Sequence, residues 1–245
     1  MNLILLREHD RVDGDRFALA DGRADHLLNV LRVTPGRTVR VGLLDGPRGT
    51  GIIDTAGDGR VTMRVAFEPS TPERPRVDVM LALPRPKVMH RLWAQLTALG
   101  VGQVIVTNAS RVEPDAWATH YLEEPAVRPL LIEGLQQARD TRLPVVSLHK
   151  QFRILVEDTL DGLFPAGLRL VADPSGTTSL PDAIEINRPE RVLLAVGPEG
   201  GWNEFELGLL AAHGFTRVGL GPRTLRVDTA CTALLAIAHA ALRSG

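Results

Sequence analysis

The chain has 245 residues, of which 44% are hydrophobic and 23% charged, and its formal net charge is −1. This composition is typical of a folded globular protein, and it excludes long disordered tracts and fibrous repeats. The near-zero charge excludes a globally basic nucleic-acid binder, so any basic face must be local. The length allows one large domain or two domains of ordinary size.

The N-terminal segment has no pattern typical of a targeting signal. Its apolar start, Met1–Leu6, is followed at once by Arg7 and Glu8, and it is far shorter than the roughly 20 residues that span a bilayer. We therefore expect a cytoplasmic protein with no membrane partner. The single cysteine, Cys231, lies in an apolar run, which predicts a buried small hydrophobic residue rather than a reactive thiol.

The first part of the chain consists of short β-like runs separated by turn residues, which predicts a small β-barrel over residues 1–70. One helix around His26–Leu31 is expected to cover an end of this barrel, and Pro35-Gly36 ends that helix. Three prolines in Glu68–Arg76 disfavour both helix and sheet, which predicts a linker. The predicted strands are Asn2–Leu6, Phe17–Ala20, Thr38–Leu44, Gly49–Asp54 and Arg60–Phe67.

In the second part, residues 75–245, strands and helices alternate, which predicts an α/β domain with a largely parallel sheet. The first helix is expected to end at Gly100 in a left-handed conformation, with Val88, Leu92, Leu96 and Leu99 on its apolar face. The predicted strands are Val77–Leu83, Gln103–Thr107, Val145–Leu148, Leu168–Ala172, Val192–Val196 and Arg217–Leu220. The predicted helices are Val88–Leu99, those within Asp115–Ala138, Gln151–Leu160, Asn203–His213 and Thr229–Leu242.

Two glycine-rich turns are the strongest local signal. The apolar run Val192–Val196 leads straight into Gly197–Gly201, and Gly219–Arg223 repeats the pattern after the next strand. Parallel sheets bind ligands at the carboxyl ends of their strands, and glycines let a ligand approach the main chain closely. We expect the two loops to lie side by side and to form one crevice. The alternative is that Gly200-Gly201 only makes a tight connection between a strand and a helix.

The residues around these turns exclude several kinds of site. Neither turn has the spacing of a phosphate-binding loop, and the helices that follow begin with carboxylates, such as Glu204 and Asp228, which would repel phosphate. The seven histidines have no metal-binding spacing, so no metal is expected. The Gly-x-Ser-x-Gly motif of a hydrolase nucleophile is absent. A neutral or cationic ligand is favoured.

Charged residues near the second turn are candidates for catalysis. Arg226 precedes the last helix, and its guanidinium suits a phosphate or an anionic base, whereas Asp228 is placed to orient a proton acceptor. The alternative is structural, with Asp228 as the cap of the last helix and Arg223 paired with Glu199. Other basic residues form either a solvated surface or the local positive face that RNA requires: Arg32, Arg37, Arg40, Arg74, Arg76, Arg85, Lys87, His90 and Arg91.

Two segments, Val196–Trp202 and Leu220–Ala230, resemble the signature motifs of the RsmE family of 16S rRNA (uracil-N3)-methyltransferases. Further anchors follow in the family's order, so the resemblance covers almost the whole chain. These anchors are His26–Arg32 with Gly36, Leu99–Val101, Ser110-Arg111, Gln137 and Arg142–Pro144.

The resemblance implies a PUA-like RNA-binding barrel at 1–70 and a SPOUT α/β domain with a deep trefoil knot at 75–245. Chain connections are normally unknotted, so the knot rests on the resemblance alone. A homodimer acting on 16S rRNA or the small ribosomal subunit is also implied. The cofactor would be S-adenosyl-L-methionine, held by Gly197, Glu199, Gly200, Gly201, Leu220 and Leu225. RNA binding would fall to Arg32, Arg111, Arg142 and Arg223, and catalysis to Arg226 and Asp228.

Four positions depart from the family's pattern. Gln95 and Ala98 stand where the family has lysine and glutamate, Asp140 replaces an arginine, and Val227 replaces a threonine. Because of these departures, two alternatives to a uridine-N3 methyltransferase of 16S rRNA stay open. One is an RNA-binding or ribosome-assembly protein that keeps the SPOUT fold without catalysis. The other is methylation of a different RNA by the same pocket.

Overall fold

The computed structural model describes residues 2–118, 120–221 and 223–243, so Pro222 of the predicted Gly-Pro turn lies outside the described residues. The chain has a mixed α/β fold and divides into two compact units. The first unit comprises the residues up to Arg74 together with Ile132–Leu143. The second unit comprises Pro75–Leu131 and the residues from Pro144 onward.

The first unit contains a six-stranded curled sheet. Its strands are β1 (Ile4–Leu6), β2 (Arg11–Asp13), β3 (Arg16–Leu19), β4 (Thr38–Leu43), β5 (Arg48–Gly57) and β6 (Arg60–Phe67). They are ordered β1-β4-β5-β6-β3-β2, and β1 pairs with β4 in parallel while the other pairs are antiparallel. Five of these strands were predicted. The strand β2 was not, because its sequence Arg-Val-Asp has no apolar alternation.

A short helix covers part of the core of this unit. The helix α1 (Gly22–Asp25) continues into a π-helical turn, His26–Val30, and so begins four residues before the predicted helix. Asp21 explains the earlier start, because its side chain accepts a hydrogen bond from the Arg23 backbone N–H and caps the helix. Leu27 is fully buried in the same cluster as Phe17. The helix therefore packs on the sheet of this unit.

The second unit contains a seven-stranded sheet in which all pairings between described strands are parallel. Its strands are β7 (Val77–Ala82), β8 (Gln103–Thr107), β9 (Val145–His149), β10 (Leu168–Ala172), β11 (Thr178–Ser179), β12 (Val192–Val196) and β13 (Phe215–Gly219). The order is β11-β13-β10-β12-β7-β8-β9. The prediction of an α/β fold with a parallel sheet is confirmed. Only the two-residue strand β11 was missed.

The remaining helices are α2 (Pro86–Leu99), α3 (Glu124–Ala138), α4 (Phe152–Ile154), α5 (Leu160–Leu163), α6 (Leu180–Asn187), α7 (Glu204–Ala212) and α8 (Val227–Arg243). A π-helical turn, Leu155–Thr159, joins α4 to α5, and single 3-10 turns occupy Glu8–Asp10, Pro114–Trp117 and His120–Leu122. The helix α6 was not predicted. In the described part of the chain, no helix is long and apolar enough to cross a membrane.

The packing of α2 corrects one sequence-based detail. Gly100 ends the helix at φ +85°, as predicted. The apolar face is shifted, however, because Val88 and Leu99 are only half-buried and the buried side chains are Met89, Leu92, Trp93, Leu96 and Thr97. The helix α2 packs on α8, which in turn packs on β7 and β12.

The cysteine behaves as the sequence predicts. Cys231 lies on α8 and is 1% exposed. Burial, followed by the nearby charge of Asp228, raises the pKa of its thiol to about 12. The residue is therefore a small hydrophobic group of the core rather than a nucleophile.

Candidate active site

The carboxyl ends of three neighbouring strands define the candidate site. In the sheet, β10 lies between β12 and β13 and pairs with both. The strands β12 and β13 are therefore not adjacent, since β10 lies between them, but the loops that follow them line one cavity, as expected. Asp173 and Pro174, which follow β10, supply a third wall that the sequence analysis did not anticipate.

These loops enclose a cavity of about 360 Å³, a size within the range of small-molecule sites, roughly 300–1,000 Å³. All six residues predicted to hold a cofactor line it, and so do Arg111 and Arg223. The lining residues are Arg111, Ala172, Asp173, Pro174, Val196, Gly197, Pro198, Glu199, Gly200, Gly201, Trp202, Val218, Leu220, Gly221, Arg223, Thr224, Leu225, Val227 and Ala230.

The loop after β12 requires its glycines. Gly201 has φ +71°, a left-handed conformation that side chains disfavour. A Cβ atom on Gly197 would lie 3.2 Å from the Cα atom of Gly201, so the two ends of the loop approach each other closely. The Gly201 N–H donates to the carbonyl of Pro198 at 2.8 Å. The loop is thus a tight turn that leaves its main chain accessible to a ligand.

A buried carboxylate holds the helix that follows this loop. Asn203 caps α7, and Glu206 accepts the Asn203 backbone N–H at 2.8 Å, which confirms the predicted capping box. Glu206 is only 3% exposed, and its other carboxylate oxygen accepts a hydrogen bond from the backbone N–H of Ser110 at 2.6 Å. The loop after β8 is therefore tied to the start of α7.

Two further hydrogen bonds hold the loop after β12, Gly197–Gly201. One comes from Arg111, and the other is accepted by Glu199 within the loop. The guanidinium of Arg111 donates to the carbonyl oxygen of Gly200 at 2.5 Å. Oε1 of Glu199 accepts the backbone N–H of Arg85 at 3.1 Å, and the Arg85 side chain pairs with Glu113 at 2.7 Å. Among the described residues no ion pair joins Arg223 to Glu199, so the alternative that paired them is not supported.

The wall after β13 is mainly apolar. Leu220, Leu225, Val227 and Ala230 line the cavity there, and Gly221 has φ +97°. Arg223 is exposed on this wall. The departure at Val227 therefore places an apolar side chain, not a hydroxyl, in the cavity wall.

Asp228 lies between two arginines at the start of α8. Its Oδ2 accepts from Arg91 at 3.2 Å, and its Oδ1 lies 3.5 Å from Nε of Arg226 and accepts the Thr229 N–H at 3.0 Å. Burial acts to raise the pKa of Asp228, but the Arg91 hydrogen bond, the Thr229 N–H and the charge of Arg226 together hold it below its ordinary value. Asp228 is the second residue of α8, so the alternative of an N-terminal cap does not describe its role.

The remaining predicted residues lie elsewhere in the fold. Arg32 and Arg142 belong to the first unit. Arg32 is exposed with φ +49°, whereas Arg142 is half-buried and donates to the Asp45 carbonyl at 3.0 Å.

The other departures from the family pattern have ordinary surroundings. Gln95 is exposed and Ala98 half-buried on α2. Asp140 accepts the backbone N–H of Thr141 at 2.7 Å.

Sequence reasoning missed two residues of the site. Asp173 follows a strand that was predicted, but its turn, Asp-Pro-Ser-Gly, has no glycine pair to draw attention to it. Arg91 was noted only as part of a basic group, because its partner Asp228 is 137 positions away. Within the described ranges, no group of three or more histidine, cysteine, aspartate or glutamate side chains is arranged to hold a metal ion.

Comparison with known proteins agrees with the resemblance drawn from the motifs. Residues 71–239 match the model of the RNA methyltransferase domain family. The ribosomal RNA small subunit methyltransferase E of Treponema pallidum is 28% identical over 98% of this chain and 92% of its own. The ribosomal RNA small subunit methyltransferase E 1 of Borreliella burgdorferi is 24% identical over 95% of both chains.

A solved structure has the same fold over nearly the whole chain. The ribosomal RNA small subunit methyltransferase E of Neisseria gonorrhoeae, bound to S-adenosyl methionine, superimposes with a TM-score of 0.78 at 22% identity. The match covers 96% of this chain and 95% of that one. These findings confirm the resemblance to the RsmE family, and the chain belongs to the RNA methyltransferase domain family.

Proposed function

We propose that this protein is an S-adenosyl-L-methionine-dependent methyltransferase that modifies N3 of a uridine in 16S rRNA of the small ribosomal subunit. The observation that carries the proposal is that all six residues assigned to the cofactor line one cavity at the strand ends. The full-length similarity to methyltransferases named for small-subunit rRNA supports the substrate class. Catalysis distinguishes this proposal from the assembly-protein alternative.

The residues of the cavity fit S-adenosylmethionine. The glycines at 197, 200 and 201 expose main-chain donors and acceptors, which suit the polar edges of an adenine and an amino acid. Leu220, Leu225 and other apolar residues supply a surface for the adenine ring. The carboxylates of Asp173 and Glu199 also line the cavity and complement the positive charges of an ammonium and a sulfonium.

When bound, S-adenosylmethionine supplies a methyl group whose bond to sulfur breaks as a bond to N3 forms. The proton on N3 of the uracil must pass to water as the methyl group arrives, because the lone pair of the nitrogen is otherwise unavailable at neutral pH. The main chain of Gly197–Gly201 would fix the methyl donor so that the two reacting atoms approach in line. The guanidinium of Arg226, 73% exposed and next to the cavity wall residue Val227, would stabilise negative charge on the uracil ring.

Asp228 is suited to hold position rather than to take the proton. Its lowered pKa keeps it ionised, and a carboxylate with a low proton affinity is a weak base. Among the described residues, the partners of its carboxylate are cations and N–H donors: Arg91, Arg226 and the Thr229 backbone. Asp228 would therefore orient the arginines that meet the RNA.

The finer description of the fold belongs to the same proposal. We infer a PUA-like RNA-binding barrel at 1–70 and a SPOUT domain with a deep trefoil knot at 75–245, working as a homodimer. The position of β10 between β12 and β13 requires the chain to cross over between strands that are not adjacent, which supports the proposed knot.

Light scattering of the purified protein tests the dimer. Arg32, Arg111, Arg142 and Arg223 would contact RNA, Arg111 while also holding the Gly200 carbonyl.

Two measurements test the function. Isothermal titration with S-adenosylmethionine should give saturable binding, whereas no binding would favour the assembly protein. Nucleoside mass spectrometry of 16S rRNA from a strain that lacks the gene should show the loss of one 3-methyluridine, and the restored gene should return it. Persistence of that nucleoside would overturn the substrate. A methylated base lost instead from another RNA would favour the alternative in which the same pocket methylates a different RNA.

A further inference from the structure

One contact reaches the edge of the site from a helix outside the two signature motifs. Arg91 lies on α2, and its Nη2 donates to Oδ2 of Asp228 at 3.2 Å. The side chain of Arg91 is 48% exposed, whereas that of Asp228 is 18% exposed. The Asp228 side chain is thus largely shielded from solvent, and one guanidinium contacts each oxygen of its carboxylate.

The two oxygens of this carboxylate have different partners. Oδ1 faces Nε of Arg226 at 3.5 Å and the Thr229 N–H at 3.0 Å, and Oδ2 faces Arg91. Two guanidiniums that contact the same carboxylate repel each other, and the anion between them offsets that repulsion. With Asp228 ionised, the trio carries one net positive charge, which favours an anionic partner.

We propose that Arg91 is a positioning residue for methyl transfer, which fixes the Asp228 carboxylate so that this carboxylate in turn holds Arg226 beside the mouth of the cofactor cavity. The inference rests on the proposed function and deepens it. Arg91 itself acts through Asp228 rather than on the reacting atoms. Arg226 directly precedes Val227, which lines the cavity, so the position of the Arg226 side chain decides how it faces the cavity mouth.

The test compares Arg91→Gln and Arg91→Lys with the wild type in single-turnover methylation of small ribosomal subunits. With both substrates saturating, Arg91→Gln should slow the methylation step by about 10- to 100-fold, the scale expected for a misplaced catalytic group. Arg91→Lys should recover part of the rate. The dissociation constant for S-adenosylmethionine should stay within about twofold, because Arg91 does not line the cavity.

A second readout does not depend on activity. In protein labelled with carbon-13 at aspartate carboxyls, the Asp228 titration should move to higher pH in Arg91→Gln, because the Arg91 hydrogen bond is the strongest of the contacts that lower the pKa of Asp228 against the effect of burial. The other groups acting on Asp228 are the Arg226 guanidinium and the Thr229 N–H, and the buried Cys231 thiol stays neutral. Arg91→Lys should give an intermediate titration.

The matched control is Arg153→Gln, which removes an exposed arginine paired with Glu157 at 2.8 Å on a segment that does not line the cavity. It should match the wild type in both readouts. The inference would be overturned if Arg91→Gln had the same methylation rate and the same Asp228 titration as the wild type. It would also be overturned if the variant lost only affinity for RNA. If the wild type itself does not methylate rRNA, the proposed function fails. If the wild type is active and Arg91→Gln is equally active, only the role of Arg91 fails.

Discussion

The backbone of Gly176 lies directly against the backbone of Gly219. A Cβ atom on Gly176 would be 2.5 Å from the carbonyl carbon of Val218, and a Cβ atom on Gly219 would collide with the carbonyl oxygen of Gly176. The Asp173 N–H also donates to the Val218 carbonyl at 3.0 Å. The segment after β10 therefore packs against the end of β13. Two walls of the cavity are thus joined through their backbones.

This contact predicts that Gly219→Ala destabilises the protein. Neither neighbour is a flexible side chain, so the added methyl group must displace backbone, at a cost of about 1–3 kcal/mol. The affinity for S-adenosylmethionine should fall as well, since Leu220 and Asp173 line the cavity on either side. Urea unfolding and isothermal titration measure the two effects.

Gly208→Ala is the control for this change. Gly208 lies inside α7, where a Cβ atom would meet nothing within 4 Å, so alanine should stabilise the helix by about 0.5–1 kcal/mol. Equal stability of the Gly219→Ala variant and the wild type would contradict the close packing of these two segments.

The left-handed conformation of Gly201 supports a second prediction. Gly201→Ala and Gly214→Ala both place a side chain at positive φ, +71° and +83°, and neither Cβ atom would meet another atom within 4 Å. Both should therefore lose about 1 kcal/mol of stability through backbone strain alone. Only Gly201 lines the cavity, so only its variant should bind S-adenosylmethionine more weakly in isothermal titration. A similar loss of affinity in Gly214→Ala would show that strain, rather than the site, controls binding.

The sequence predicted the strands that carry the site but not their order. The apolar runs at β10, β12 and β13 were all recognised, because buried parallel strands are continuous in hydrophobicity. Which strand lies beside which depends on chain connections between distant segments, and no local pattern encodes it. That is why Asp173 was missed although its strand was found.

The side-chain contacts of the site show the same division. The capping box of Asn203 and Glu206 is a local pattern, and it was read correctly from four residues. The contacts of Glu206 with Ser110 and of Asp228 with Arg91 join residues 96 and 137 positions apart. Such contacts follow only from the packed fold. The contact of Arg91 with Asp228 could therefore not be predicted, and Arg91 was grouped with a general basic surface.

The two hydrogen bonds of Glu206 give a third prediction. Each carboxylate oxygen accepts one backbone N–H, from Ser110 and from Asn203. In Glu206→Gln, the amide NH₂ group would face one of these N–H donors, which would remain buried without an acceptor, at a cost of about 1–3 kcal/mol. Glu204→Gln is the matched control, because its side chain is 89% exposed on the same helical turn. Thermal or urea unfolding of the two variants should differ accordingly, and equal stabilities would refute the bridging role of Glu206.

The buried carboxyl of Asp78, paired with the half-exposed Arg191, predicts how stability changes with pH. Burial in β7 raises the pKa of Asp78 from its ordinary value of 3.8 to about 6, although the charge and hydrogen bond of Arg191 act to lower it. Between these two values the unfolded chain loses the Asp78 proton while the folded protein keeps it. Asp78 therefore lowers the free energy of unfolding as the pH rises from 3.8 to about 6, and it adds no further change above that range.

Urea unfolding at several pH values between 3.5 and 7.5, roughly the span that brackets both states of Asp78, measures this effect. Other carboxyls also titrate there, so the informative quantity is the difference between the wild type and Asp78→Asn, which cannot titrate at this position. The variant loses its charged contact with Arg191, but it also avoids the burial of a charge, which is the larger of the two effects on the Asp78 pKa. Relative to the variant, the wild type should lose stability as the pH rises through this window, because only the wild type must ionise a carboxyl that is 0% exposed. A constant difference across the range would mean that Arg191 fully offsets the burial of the charge.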